Sequence, residues 1–459
     1  MSAPLHGVGL GWRRELASTL LGAPGSVRFV EVVAESCFAD PRAYREAQAL
    51  AEIWPVVPHG VKLSLASGDG LDVERARRLG ALAKAVGAPA VSEHVALTRG
   101  GGREIGHLTS VPFTRETVSA VARNVDALRR HLQGVPLLLE NIAWTFRYPE
   151  DEMDEGTFHA EIAEATGCDL LLDLANLYAN AVNSGTPPEA LLERYPLERV
   201  GMVHVAGGVL EDDGFYVDTH AHAVPAPVHA LLERLTARVG AVPVLLERDD
   251  RFPPGDELAR EIAALEALLA NAPRRSSDRR APGIRPTASA SSGAREAEIA
   301  RLLTEPTLPE DTRGLDRTAL VRTRRILQHK RVDEALPLLP RLAAHGDAAR
   351  TIAFRALAGT PRPLRFAGFA DALAIAKLAA RASDGRLAGD AAEDALELSA
   401  RVTPAGRPRW GPGLAARRLP SGGAALAWKG PGGSSKVHTL ELRPFRATPS
   451  GSFPGKEVS

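Results

Sequence analysis

Seven apolar runs in this chain each end on, or just past, a side chain able to bind a metal. The first is Val27–Val33, with Glu31 and then Glu35. Next come Pro55–Pro58 into His59, Ala90–Ser92 into Glu93 and His94, and Pro136–Leu139 into Glu140 and Asn141. Asp169–Leu172 runs into Asp173 with Asn176 beyond it. Val200–Val203 runs into His204, and Val242–Leu246 into Glu247. This repetition limits the fold sharply. It means that the carboxyl ends of many parallel strands aim side chains at one centre, which is where (β/α)8 barrels keep their chemistry.

Gly7–Leu10 adds a weaker first strand, for eight in all. Helix-like stretches separate the strands: Arg13–Leu21, Pro41–Ile53, Val73–Val86, Thr114–Leu132, Gly156–Thr166, Pro188–Arg194, Pro225–Val239 and Asp256–Ala270. The strands are almost continuously apolar, as when both faces of a parallel sheet are covered. The expected fold is therefore α/β, a TIM barrel over residues 1–270. Residues 271–293 are polar and rich in Pro, Ser and Arg, which reads as a flexible linker. Residues 294–402 carry helical patterns and form an expected α-helical domain. In the tail, 403–459, Ala424–Trp428 and Lys436–Leu442 flank a glycine-rich stretch and suit a β-hairpin.

Composition narrows the function. The chain of 459 residues balances 56 basic against 56 acidic side chains, so no global charge draws it to nucleic acid or an anionic membrane. Its two cysteines, Cys37 and Cys168, cannot build a disulfide framework or a thiolate metal cluster. No apolar run is long enough to span a bilayer, and Met1–Arg13 lacks a signal-peptide pattern. The expected setting is the cytoplasm. Gly100-Gly101-Gly102 reads as a flexible loop.

The strand-end residues mix imidazole and carboxylate, a donor set suited to iron, zinc or manganese. His59, His94, Glu140, Asp173, Asn176, His204, Asp218, His220 and Glu247 outnumber the needs of one ion, so two or three ions with bridging carboxylates are expected. Asp218 and His220 lie in the loop after the seventh strand, where a D-x-H spacing puts both on one side of an extended segment. A single strand-end His is more often structural. The series is another matter, because converging charges repel unless cations neutralise them. Glu35, Glu93, Asn141 and Asp249 are expected in support of these ligands.

The same residues fall in motifs. H-G-V-x-L-S spans His59–Ser64, S-E-H Ser92–His94, L-E-N Leu139–Asn141 and T-G-C-x-L-L-L-D-x-x-N Thr166–Asn176. H-x-A-G spans His204–Gly207, D-T-H Asp218–His220 and E-R-D Glu247–Asp249. Over residues 7 to about 270 the chain resembles the multinuclear non-heme iron-dependent oxidative enzymes, long known only as a domain of unknown function. The family often has Glu-Asn where this chain has Glu35-Ser36, and Asn-Asn where it has Ala175-Asn176.

The resemblance implies a xylose-isomerase-like barrel holding two or three irons, of single or mixed valence. It implies dioxygen as co-substrate and a ribosomally made precursor peptide, modified at cysteine or other residues, as substrate. It names no catalytic residue beyond the metal site. The region after the barrel resembles the helical domain fused to actinobacterial members, with Arg322, Arg324, Arg325, Lys330 and Arg331 in its telling stretch, and is expected to recruit the peptide in cis. Other readings stay open on the residues alone. One is a zinc or manganese sugar isomerase or epimerase, or an endonuclease, on the same barrel. Another is a metal-loaded peptide-binding protein without catalysis.

Overall fold

The computed structural model describes residues 5–275, 293–358, 360, 362, 367–403, 409, 412–418, 424–429 and 437–442. The expected eight strands form: Val8–Gly11, Phe29–Val33, Val56–Gly60, Val91–His94, Leu137–Glu140, Asp169–Asp173, Val200–Val205 and Val244–Leu246. Each pairs in parallel with the next. The first closes on the eighth through Val8↔Val244 and Leu10↔Leu246, which makes a closed barrel.

Period-two alternation sorts the side chains of each strand. Val30, Val56, Val91, Leu139, Leu172, Val203 and Leu246 point outward and pack with the surrounding helices in one large core. Phe29, Val57, Ala90, Leu138, Leu171, Met202 and Leu245 point inward and fill the barrel as a separate apolar cluster. Gly9 makes room for that filling, since a Cβ there would lie 2.5 Å from the Phe29 ring. Helix starts follow local chemistry. Asp40, Asp72, Thr114 and Asp154 each accept hydrogen bonds from the first turn of the helix they precede.

Three features go beyond the sequence reading. A helix, Leu174–Ser184, follows the sixth strand directly. The Gly100–Gly102 run is the tight turn between Leu97–Gly100 and Arg103–Thr109, and it packs on the helix Ala294–Thr304. A second hairpin, Gly207–Leu210 with Tyr216–His222, is inserted after the seventh strand. Asp218 and His220 therefore lie on a strand and not in the loop expected for them.

The chain divides into two compact units, Met1–Leu327 and Gln328–Ser459. Ala294–Leu327, grouped by the sequence with the helical domain, packs in the first unit. Ile299, Leu302, Leu303, Leu315, Leu320 and Leu327 join the barrel's outer core. The expected linker falls outside the described residues from 276 to 292.

The second unit has its own core of Val332, Leu336, Leu342, Ala353, Leu373, Ile375 and Leu398, from the helices Asp347–Leu357, Ala367–Ala379 and Gly385–Arg401 and the segment before them. Its Asp371 is buried and paired with Arg331 and Arg362. The expected hairpin is present as Ala424–Lys429 paired with Val437–Leu442, and a third strand, Gly413–Arg418, extends it. Residues 430–436 and 443–459 fall outside the described residues.

Candidate metal centre

The inward residue two places after each barrel-filling side chain is polar. Phe29 is followed by Glu31, Val57 by His59, Leu138 by Glu140, Leu171 by Asp173, Met202 by His204 and Leu245 by Glu247. On the fourth strand Ala90 is followed by Ser92 and then His94. One turn of the pleat thus separates a dry floor from a polar layer at the carboxyl end of the barrel. All of that layer is buried, Asp173 and His204 completely.

Glu140 stands among three imidazoles. Its Oε2 lies 3.3 Å from His94 Nε2 and 3.6 Å from His59 Nε2, and its Oε1 lies 3.3 Å from His204 Nδ1. Glu247 Oε2 is 3.1 Å from the same His204 nitrogen and 3.2 Å from His220 Nδ1. His220 Nε2 is 2.7 Å from Asp218 Oδ2 and 3.8 Å from Asp173 Oδ2.

Three groups result whose ligand-capable atoms lie within 4.8 Å of one another: His59–His94–Glu140, Glu140–Asp173–His204 and Asp173–His220–Glu247. Neighbouring groups share a carboxylate, first Glu140 and then Asp173.

The electrostatics of this cluster call for cations. Burial, with repulsion from His94 and His204, outweighs Glu140 and pushes the His59 imidazolium down to about 3. At His94 burial works the same way, but Glu140 and Glu93 outweigh it and lift the group to about 9. Burial also opposes charge on His204 and His220, and surrounding carboxylates raise both well above the ordinary histidine value. Asp173 is pushed up by burial, with Asp218 and Glu140 adding repulsion. Without metal, protons balance the acids.

Glu140 Oε2, Asp173 Oδ2 and Asp218 Oδ1 are buried yet make no hydrogen bond, and the buried His204 Nδ1 and His220 Nε2 meet carboxylate oxygens only outside hydrogen-bond geometry. Such atoms are costly unless something binds them. Divalent cations fit this donor set of nitrogen and oxygen, and the shared carboxylates fit more than one ion.

Asp173 shows how local folding serves the site. Its Oδ1 accepts the Asn176 N–H at 2.8 Å and so caps the helix Leu174–Ser184. Its Oδ2 is left for the barrel mouth. Asn141 fixes the same residue by accepting Asp173 N–H at 2.8 Å and donating to Asp173 O at 3.0 Å. Asn176 is buried beside it and donates its amide to Asn141 O at 3.1 Å, which leaves its side-chain oxygen as the atom able to ligate.

Glu35 and Glu93 stand outside the polar layer and hold the loop after the third strand. Glu35 accepts from Val61 and Lys62 N–H, and Glu93 from Leu63 and His94 N–H. Asp249 forms an ion pair with Arg13, and its N–H donates to His220 O at 2.8 Å. That bond holds His220 at φ +49°, a left-handed conformation uncommon outside glycine.

Three site residues carried no decisive sequence signal. Glu31 lies 3.2 Å from His204 Nε2, and Ser92 Oγ 2.8 Å from His59 Nδ1, so each orients a ring whose other nitrogen faces a carboxylate. Glu31 stands in the strand-end series as a supporting acid, and its alternation with Phe29 marks it as inward-facing. Arg13, just past the first strand, adds a cation 3.8 Å from Glu247. No local pattern pointed to it.

Residues 7–270 match the family model described as RiPP precursor modification enzyme MbnB/TglH/ChrH. A UPF0276 protein of Streptomyces avermitilis is 42% identical over 273 residues, 58% of this chain and 55% of that protein. The chain thus covers only about half the length of that relative. A UPF0276 protein of Chromobacterium violaceum is 35% identical over 268 residues, 58% of this chain and 96% of its own. A xylose isomerase domain protein from Planctomyces limnophilus aligns with 58% of this chain and 97% of its own at 17% identity and a TM-score of 0.39, too distant a likeness to bear on chemistry.

Proposed function

The chain belongs to the MbnB/TglH/ChrH family of RiPP precursor modification enzymes, and on that premise we propose that it is a multinuclear iron oxidase. It uses dioxygen to modify residues, cysteine foremost, of a ribosomally made precursor peptide in the cytoplasm. The observation that carries this reading is the sharing of Glu140 and Asp173 between adjacent ligand groups, which suits two or three ions held side by side.

His59, His94, Glu140, Asp173, His204, Asp218, His220 and Glu247 would hold the metal, with Asn176 as a further oxygen donor. Iron bound there supplies one-electron redox chemistry and a Lewis-acid position for an anionic sulfur donor. The chain's own residues do the rest. Glu31, Ser92 and the Gly60 carbonyl, 3.1 Å from His94 Nδ1, hold the imidazoles in orientation. The apolar layer of Phe29, Val57, Leu138, Leu171, Met202 and Leu245 keeps water from the floor.

The region after residue 293 recruits the peptide in cis. Its basic residues are largely committed elsewhere. Arg322 pairs with Asp213, Arg325 with Glu211 and Arg331 with Asp371, and Arg324 donates to the carbonyls of Leu302 and Glu305.

The test is anaerobic purification followed by metal analysis and oxygen uptake with a cysteine-containing precursor peptide. More than one iron per chain and peptide-dependent oxygen uptake support the proposal. Stoichiometric zinc that resists exchange, or iron without uptake, sinks it.

A further inference from the structure

The inserted hairpin Gly207–Leu210/Tyr216–His222 connects two parts of the metal centre. It leaves the seventh strand just after His204 and ends with Asp218 and His220. Its base is buried at Tyr216 and Ala221, with Tyr216 edge-on to Tyr178, but toward the tip Val209 and Leu210 are 37% and 60% exposed. Its ladder is also irregular, with a register shift between Gly207 and Val209. Beyond that buried base and the Asp249 N–H bond to His220 O, two polar clamps hold the hairpin.

The first clamp is Asn183, on the helix capped by Asp173. It accepts Tyr216 N–H at 2.7 Å and donates to Tyr216 O at 2.9 Å. The second comes from the helix Arg317–Ala335, more than a hundred residues further along the chain. Arg322 pairs with Asp213 at the hairpin tip and lies over the Phe215 ring, 3.9 Å from its centre. Arg325 donates to both carboxylate oxygens of Glu211, at 3.0 and 3.2 Å. The tip itself is a tight turn, with Glu211 N–H bonded to Phe215 O at 2.8 Å, so the arginines grip a stiff handle.

We propose that Arg322 and Arg325 are positioning residues for the Asp173–His220–Glu247 group, acting through the hairpin and touching neither metal nor substrate. The inference rests on reading the barrel mouth as a multinuclear metal site. Asp173 and Glu247 arrive on barrel strands that a closed hydrogen-bonded sheet fixes. His220 arrives on the hairpin, with a left-handed backbone that relaxes if the hairpin shifts. Occupancy of this one group therefore depends on the hairpin, while His59–His94–Glu140 is built wholly from barrel strands. Exposed ion pairs are weak singly. Two together with a guanidinium–ring contact suffice to bias a light hairpin without contributing much to global stability.

The experiment uses the full chain loaded anaerobically with ferrous iron. The R322A/R325A variant is expected to retain one iron fewer than the unaltered chain after the same desalting. Its hairpin amides should exchange with deuterium at least tenfold faster, with exchange in the barrel strands unchanged. D213N, at an exposed residue that cannot unfold the core, should show the same loss to a smaller degree, and R322K/R325K should recover part of the retained iron. Equal iron and equal hairpin exchange in R322A/R325A and D213N overturn the proposal. If the unaltered chain itself holds no more than one ion, the multinuclear reading fails first, and the exchange rates still report whether the arginines hold the hairpin.

Discussion

Glu31 and His204 meet at 3.2 Å inside the barrel, with the carboxylate on Nε2 and the opposite ring nitrogen turned to Glu140 and Glu247. Both are buried, and they come from the second and seventh strands. A carboxylate that fixes one nitrogen of an imidazole sets its tautomer and raises the basicity of the other. On the proposed function, Glu31 therefore tunes metal affinity although it belongs to none of the three candidate ligand groups.

Replacing Glu31 by Gln keeps the volume and one hydrogen bond but removes the charge. Metal affinity is expected to fall by about 10- to 100-fold, as for other carboxylates that support a ligating imidazole. Competition with a chelator of known affinity measures it. An unchanged affinity would show that His204 needs no such support.

Glu140 touches three imidazoles and belongs to two ligand groups. Glu140→Ala should lower bound metal by more than one ion per chain, read by elemental analysis of protein shown to be folded by circular dichroism. Loss of a single ion would demote Glu140 to a terminal ligand.

Gly60 follows His59, and a Cβ added there would lie 2.4 Å from Glu93 Oε2. That carboxylate cannot yield without giving up the Leu63 N–H it accepts at 3.2 Å. Gly60→Ala should cost roughly 1–3 kcal/mol of stability, the usual range for overpacking. It should also loosen the loop that Glu93 holds. A midpoint of chemical denaturation within error of the unaltered chain would refute this.

His159 lies outside the metal centre, buried between Phe158 and Tyr195, with ring centres 5.6 and 5.4 Å away. Burial pushes its imidazolium down from 6.5 to about 3. The folded chain holds the neutral ring, and the unfolded chain takes up the proton first. Stability from this residue is thus complete above about 6.5 and is lost as pH falls toward 3. Its slope is up to about 1.4 kcal/mol per pH unit. His159→Phe should flatten the acid limb of a stability–pH curve relative to the unaltered chain. Parallel curves for the two would disprove the assignment.

The eight strands and the metal-capable side chains at their ends were legible because both signals are local. A buried parallel strand is a short apolar run, and a ligand placed where it ends needs no partner to be noticed. Glu31, Glu35 and Glu93 were harder to rank. Each lies on or beside a strand, and whether a side chain points inward depends on the phase of the pleat against the barrel axis. That phase put Glu31 in the polar layer and turned Glu35 and Glu93 to the backbone of the third strand's exit loop. The helix Leu174–Ser184 was hidden because its first residues continue an apolar strand.

The sequence by itself determined the eight strands, their order and the His, Asp and Glu residues at their carboxyl ends, because each is set by spacing within a few residues. Tertiary structure alone decided that Glu140 and Asp173 are shared between ligand groups. It also brought Arg13 to Glu247, and Arg322 and Arg325 to the tip of the hairpin that carries His220. Those relations follow from the stagger of strands in a closed barrel and from helices that return from far along the chain to pack on it. Distance in space, which they express, is not written in any short stretch of sequence.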